Sequence, residues 1–223
     1  MTSYGELKRL FPIRFRHLSG EKSFKRWDSV YFKFRKPTRD SRSESCHVME
    51  DSISIDGQMP KAERATFLEP FLAESISEAI TAGRSLAIIR PKNARFSWKS
   101  KSMSDVQAER QRYKDAASQL GIFDKELAAI EPSPYEFKFR FDDADGSHNF
   151  TNGDWEAHAM FFNGRQRLGS DEKTLSWMDH TFNEDYPQKG MVFCLGNMMS
   201  RPQTWQLLGI LRVDEPEQQG LAF

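Results

Sequence analysis

The chain has 223 residues, of which 38% are apolar and 29% charged, and its formal net charge is zero. This composition excludes a disordered chain and predicts a globular protein whose core is rich in phenylalanine. Two cysteines are too few for a disulfide scaffold, which favours a reducing compartment. The first residues lack a secretory signal and no stretch resembles a membrane span, so we expect a cytoplasmic protein with no membrane partner.

The first part of the chain predicts one strand, one loop and one interrupted helix. Residues 27–36, WDSVYFKFRK, alternate as a strand does, whereas the Ser-rich residues 37–60 predict a mobile loop. Apolar residues at helical spacing in 62–82 predict an amphipathic helix. Because proline lacks an amide hydrogen, we expect Pro70 to kink or split this helix.

The next elements are two strands and a capped helix. Residues 85–90 form a short apolar run that predicts a strand, and residues 94–101 predict a strand beside it. Ser104 and Gln107 match a capping box, so we expect a helix from Ser104 to a stop at Gly121.

The last third predicts a hairpin, two helices and two apolar strands. Residues 135–141, YEFKFRF, alternate without error, and a turn at Asp145-Gly146 leads into a return strand at 147–151. The remaining elements are expected at residues 154–163, 171–182, 191–195 and 205–213. The two final strands are apolar on both faces, which predicts a central position in a sheet.

These elements predict an α+β protein with a mostly antiparallel sheet, helices packed on it and an aromatic core. We divide it into an N-terminal basic and aromatic region, residues 1–131, and a C-terminal module, residues 132–223, consisting of a hairpin, two helices and a strand pair. A single continuous domain is the alternative.

The segment HNFTNGDWEAHAMFF contains the residue types of a metal or catalytic site. Asp154 and His158 lie four residues apart on a helix, and His148 could reach them from the hairpin, so these three are candidate ligands for Mg²⁺ or Zn²⁺. Asp154 and His158 are also a candidate acid and base pair. The competing and favoured interpretation is that Asp154 simply caps the start of a helix.

A second enzyme candidate lies on the alternating strand. Glu136 and Lys138 match the E-x-K half of a metal-dependent nuclease site, in which a carboxylate holds the metal and a lysine stabilises phosphate charge. Alternating charges on the wet face of a strand are the ordinary explanation. Gly-rich phosphate loops, a G-x-S-x-G elbow and a C-x-x-C pair are all missing from the sequence.

The charges are unevenly distributed. Residues 1–42 hold twelve Lys or Arg and four Asp or Glu, whereas residues 121–223 hold nine and seventeen. Basic groups interleaved with aromatic rings can neutralise phosphates and stack on unpaired bases. The candidate nucleic-acid contacts are Lys8, Arg9, Arg14, Arg16, Lys25, Arg26, Lys33, Arg35, Lys36, Phe15, Trp27 and Tyr31.

The sequence therefore predicts a DNA- or RNA-associated protein, an accessory subunit of a nucleic-acid-processing complex that needs no cofactor. The alternative is a divalent-metal-dependent nuclease or phosphoester hydrolase. The uneven charge also fits an adaptor that binds a protein partner or its own copies without nucleic acid.

Overall fold

The computed structural model describes residues 1–13, 18, 22–119 and 131–214. The strands among these residues are β1 (Arg9–Phe11), β2 (Asp28–Tyr31), β3 (Phe34–Arg35), β4 (Ser45–Val48), β5 (Ser54–Gln58), β6 (Leu72–Ala73), β7 (Leu86–Ile89), β8 (Lys92–Ser100), β9 (Tyr135–Asp143), β10 (Gly146–Thr151), β11 (Met191–Met198) and β12 (Arg201–Arg212). The helices are α1 (Arg64–Leu68), α2 (Ile76–Thr81), α3 (Met103–Gln119), α4 (Trp155–Leu168), α5 (Asp171–His180) and α6 (Tyr186–Gln188).

The strands form a four-stranded sheet, β12-β11-β7-β6, two three-stranded sheets, β10-β9-β8 and β1-β4-β3, and the pair β2-β5. Most neighbours are antiparallel, and the parallel pairs are β1 with β4 and β6 with β7. The predicted α+β class with mostly antiparallel strands is confirmed.

The four-stranded sheet is buried on both faces, as the apolar runs of its last strands predicted. Ala87, Ile89 and Phe193 face one hydrophobic cluster, whereas Ile88 and Val192 face the other. Alternate residues of a strand point to opposite faces, so each apolar strand contributes to both clusters. The N-terminal part covers the second cluster through Leu68, Phe71 and the partly buried Leu7 and Trp27.

The first cluster joins the four-stranded sheet and the β10-β9-β8 sheet to the helices. Phe137, Phe139 and Phe141 of β9 are fully buried. Phe141 meets Phe193 edge to face, with 5.0 Å between ring centroids, and Phe137 contacts Phe161 of α4 at 5.9 Å. Such edge-to-face pairs contribute beyond the area they bury. The aromatic core is therefore confirmed, and it fixes one face of the β10-β9-β8 sheet.

The predicted hairpin is also confirmed, because β9 and β10 pair antiparallel with Asp143 opposite Gly146. The other edge strand, β8, is held by a side chain. Asn183 accepts a hydrogen bond from the Phe96 backbone N–H at 2.7 Å, and its amide donates to the Phe96 carbonyl at 3.3 Å. Both outward-directed backbone groups of Phe96 are thus satisfied.

Two predictions near the start of the chain are wrong. Residues 27–36 are not one strand, because β2 pairs with β5 while β3 pairs with β4 in another sheet. Residues 37–60 are not a loop, since they contain β4 and β5, and Ser45, Cys46 and Val48 of β4 are buried. Pairing with β1, distant in sequence, orders β4, and local alternation carries no signal of such a partner.

The helix predicted for residues 62–82 is split at Pro70, as expected, into α1 and α2. The next helix begins earlier than predicted, because Ser102 rather than Ser104 accepts the Asp105 backbone N–H at 3.1 Å. Its predicted stop at Gly121 lies outside the described residues.

The strand predicted at residues 94–101 exists as β8, but it pairs with β9 and not with β7. Because β7 in turn pairs with β11, the four-stranded sheet and the β10-β9-β8 sheet both contain strands from either side of the division expected between residues 131 and 132. Residues 86–100 thus share their sheets with the C-terminal part of the chain. The division into two parts itself stays a prediction.

Candidate nucleic-acid interface and adjoining pocket

The N-terminal arginines with the most contacts bind the protein's own backbone. Arg9 donates to the carbonyls of Ser85 and Asn197, at 2.5 and 3.1 Å. Arg26 donates to the Ile210 carbonyl at 2.7 Å and forms ion pairs with Asp154 and Glu156. Burial lowers the pKa of Arg9, with Arg42 as a second cause. Both guanidinium groups hold the N-terminal layer, the part of the chain that carries β1 to β5, against the four-stranded central sheet.

Other predicted contacts are also engaged within the molecule. Lys8 pairs with Glu6 at 3.1 Å, Lys36 donates to the Ser43 carbonyl, and Trp27 lies under the Arg64 guanidinium at 4.8 Å. The predicted contacts Arg14, Phe15 and Arg16 lie outside the described residues.

Arg35, an exposed member of this set, lies in the β1-β4-β3 sheet. Phe11, His47 and Arg35 are in register across its three strands, with Phe11 62% exposed and the Arg35 guanidinium 3.4 Å from His47. Lys25, Tyr31 and Lys33, which are nearby in sequence, are exposed as well. A ring, an imidazole and a guanidinium in one row can contact a base and its phosphate.

A larger basic surface lies on the outward side of the β10-β9-β8 sheet, opposite the buried phenylalanines. We call it the basic sheet face. Its residues are Arg95, Ser97, Lys99, Glu136, Lys138, Arg140, Asp142, Ser147, Asn149 and Thr151. It carries four cations and two carboxylates, together with hydroxyl and amide groups.

Two arginines meet at the centre of this face. Arg95 and Arg140 are directly opposite in the β8–β9 register, and both are exposed. Neither forms a hydrogen bond or an ion pair with any residue that the structure describes. Like charges directly opposite on neighbouring strands destabilise a sheet. An anion between them would remove that cost.

The predicted pair Glu136 and Lys138 lies on the same face, further along β9. Glu136 binds Lys99 at 2.9 Å, Lys138 at 3.4 Å and the Thr151 hydroxyl at 3.0 Å. The hydrogen bond from Lys99 is the main cause that lowers the pKa of Glu136. The carboxylate thus offsets the lysines at one end of the face, and Asp142 lies beyond the two arginines at the other end.

A pocket of about 550 Å³ opens where the sheet meets α3 and α4. We call it the end pocket. Its walls include Lys99, Lys101, Glu109, Tyr113, Glu136, Phe137, Thr151, Asn152, Trp155 and His158. Lys99, Glu136 and Thr151 belong to both the pocket and the basic sheet face, so the two are continuous.

The end pocket brings together two of the predicted catalytic residues, Glu136 and His158. Burial is the main cause that lowers the pKa of His158, and the charge of Lys101 lowers it further, which favours the neutral imidazole. Nearby, Glu109 accepts hydrogen bonds from Lys101 at 2.6 Å and from the Tyr113 hydroxyl at 2.8 Å.

Asp154 begins helix α4, as the favoured interpretation predicted. Its carboxylate accepts the backbone N–H of Glu156 at 2.9 Å and that of Ile210 at 3.0 Å. His148 lies elsewhere, with Nε2 2.8 Å from the buried Asp143 carboxylate but without the alignment of a hydrogen bond.

The three predicted metal ligands therefore engage different neighbours. Across the described ranges, no three His, Cys, Asp or Glu side chains are grouped as a metal site requires. Asp154 and Lys138 are not among the residues that line the end pocket.

Sequence reasoning missed Arg95, Arg140 and Asn152. The alternation of YEFKFRF located the wet face that carries Arg140, but only the pairing of β8 with β9 brings Arg95 opposite it. For Asn152, the turn pattern Asn-Gly concealed a side chain that is buried.

Of the helices described, none is long and apolar enough to cross a membrane.

Comparisons with curated proteins and with solved structures found no match. A family model described as a domain of unknown function (DUF8758) matches residues 1–70. A second model, described as a domain of unknown function (DUF8757), matches residues 72–222, which is more than half of the chain. The boundary between the two matches falls just before β6, where the central sheet begins. The chain belongs to the DUF8757 family.

Proposed function

We propose that this is a cytoplasmic nucleic-acid-associated protein that contacts phosphates through the basic sheet face. The observation that carries the proposal is the facing pair Arg95 and Arg140, exposed and without an ion-pair partner among the described residues. A protein gains stability by separating such like charges, so their apposition is best explained by a polyanion that binds there.

The layout of the face favours an extended single strand. Lys138 and Arg140 are two residues apart on β9, about 7 Å along the strand. Repeated cations at this separation suit the repeated phosphates of an extended chain. Ser97, Asn149 and Thr151 supply hydroxyl and amide groups beside them. Polar side chains of this kind contribute many of the contacts that proteins make with phosphate and sugar.

The exposed N-terminal cations are a second contact region in this proposal. Lys33 and Arg35 with the ring of Phe11 would extend the contact beyond the sheet. Arg9 and Arg26 stabilise the fold instead, because their guanidinium groups are already bound to backbone carbonyls.

Fluorescence anisotropy with a labelled single-stranded oligonucleotide, measured over a potassium chloride series, tests the proposal. Each phosphate contact on a single strand contributes about 0.7 to the slope of log Kobs against log salt. The double variant Arg95→Gln/Arg140→Gln should therefore reduce the slope by about 1.4 and weaken binding at low salt.

The matched control is Arg84→Gln/Lys173→Gln, which removes two exposed charges away from the face. It should leave the slope as in the wild type. Lys33→Gln/Arg35→Gln measures the N-terminal region in the same assay. Binding that is absent or independent of salt in the wild type would refute the proposal, and an equal loss in the control would show that net charge alone matters.

A second candidate function is hydrolysis of a phosphoester, because Glu136 and His158 line one pocket beside Lys99 and Lys101. A neutral imidazole can act as a general base, while the lysines stabilise charge on the attacked phosphate. Incubating labelled DNA or RNA with Mg²⁺, Mn²⁺, Zn²⁺ or chelator tests it. Cleavage should be lost in His158→Gln, and should persist in Asp154→Ala if the pocket rather than the helix start is the site.

A further inference from the structure

The end pocket is a direct continuation of the basic sheet face. Lys99, Glu136 and Thr151 are the outward residues at the end of the three strands, and they form the rim of the pocket. A strand lying along the face, from Arg95 and Arg140 towards Lys138, would reach this rim next. The pocket therefore lies where a nucleotide of a bound strand would be.

Asn152 lines this pocket and is held in place by hydrogen bonds. The residue is only 3% exposed, its backbone N–H donates to the Phe137 carbonyl, and its side-chain oxygen accepts the Asp154 N–H at 2.9 Å. That bond fixes which end of the amide is the oxygen. The side-chain nitrogen is also buried, with almost no accessible surface, so Asn152 forms a fixed wall of the pocket.

The other walls of the pocket suit a flat ring. Trp155, 46% exposed, lies on the same wall as His158, and the His158 ring packs edge to face on Phe137 with 5.4 Å between centroids. Tyr113 adds an aromatic ring from α3. Aromatic side chains bind nucleobases by stacking.

We propose that the end pocket takes one unpaired nucleobase of a bound strand, stacked on the aromatic side chains of its walls. This inference rests on the proposed function, since a strand reaches the end pocket by binding along the basic sheet face. The protein then binds single strands in two ways, through a base contact in the end pocket and through phosphate contacts on the basic sheet face.

Two oligomers of equal length and charge test this, a labelled oligothymidylate and its abasic analogue. A stacked base contributes enough to expect about tenfold tighter binding of the base-bearing oligomer. Trp155→Ala should bring that ratio close to one while leaving the salt slope unchanged. Trp98→Ala is the matched control, because Trp98 is also half-exposed, at 37%, but does not line the end pocket.

Free thymidine, which has no phosphate, provides a separate measurement. At millimolar concentration it should shift the His158 imidazole resonances in NMR spectra, and should shift them less in Trp155→Ala. Equal binding of the two oligomers, or an unchanged ratio in Trp155→Ala, overturns the inference and leaves the phosphate contacts standing. Failure of both oligomers to bind overturns the proposed function. A thymidine shift at His158 would then still support a base pocket, and no shift would end that proposal too.

Discussion

The N-terminal layer and the basic sheet face are both built from alternating basic and aromatic residues, yet they use their cations in opposite ways. Arg9 and Arg26 reach across to the central sheet and bind its carbonyls. Arg95 and Arg140 point away from their own core and face each other. Charge counted along a sequence is therefore a poor measure of the charge that a surface offers to a partner.

The difference follows from the regularity of the strands. In β8 and β9, which are long and pair in regular register from Arg95 to Ser100, alternation places every second side chain outside. The N-terminal strands are short, and Arg9 and Arg26, at or before the start of such strands, reach the carbonyls of Ser85, Asn197 and Ile210 in and beside the central sheet. Breaking one set of arginines should thus affect stability, and breaking the other should affect binding.

The largest effect is expected from Arg26→Met. Removing the guanidinium leaves the buried Asp154 carboxylate without its cation and the Ile210 carbonyl without its donor. We expect the free energy of unfolding to fall by about 2–4 kcal/mol. Urea denaturation followed by circular dichroism measures it. Below the urea concentration at which the variant unfolds, its oligonucleotide affinity should match that of the wild type. A loss of affinity with unchanged stability would instead assign Arg26 to nucleic-acid binding.

A smaller effect is expected at Asp40, also in the N-terminal layer. The hydrogen bonds from Arg42 are the main cause that holds the pKa of Asp40 far below its ordinary range. Because the folded pKa is lowered, the pair stabilises the protein at neutral pH, and this contribution is lost as the pH falls below about 4.

The variant Asp40→Asn should therefore cost about 1–2 kcal/mol at pH 7 and progressively less in acid. Denaturation curves between pH 2 and pH 7 test this prediction. A cost that is the same at every pH would mean that the carboxylate charge is not what Arg42 recognises.

The smallest effect on stability is expected from Arg140→Gln on the basic sheet face. Removing one of two facing like charges should raise the free energy of unfolding by about 0.2–0.5 kcal/mol at low salt. Salt screens exposed charges, so the gain should vanish at high ionic strength. Denaturation at two salt concentrations checks the prediction. A loss of stability would indicate that Arg140 supports the sheet, as Arg26 supports the N-terminal layer.

The sequence predicted the parts of the fold whose signals are local. The alternation around Phe137 and Phe139 identified the strand, and Asp154 identified the start of its helix. Strand β4 was missed because it is ordered by a parallel partner far away in the chain. The metal prediction rested on Asp154 and His158, four residues apart on a helix, with His148 reaching them from the hairpin, whereas the hairpin turns His148 towards Asp143.

The candidate site could be predicted only in part for the same reason. Glu136 and His158 were identified as reactive types, and both line the end pocket. Glu109 and Tyr113 come from α3, and Lys101 lies just before it; the position of this helix against the sheet is a tertiary property. The facing arginines likewise depend on the register between β8 and β9, which composition does not encode.

The bond between Asn183 and the backbone of Phe96 also bears on colloidal behaviour. An open strand at the margin of a sheet is a template on which another polypeptide can add, and this is a common route to aggregation. Here one carboxamide occupies the donor and the acceptor at the middle of that strand. The protein can therefore keep a charged sheet face exposed while this side chain hinders the addition of another chain at that margin.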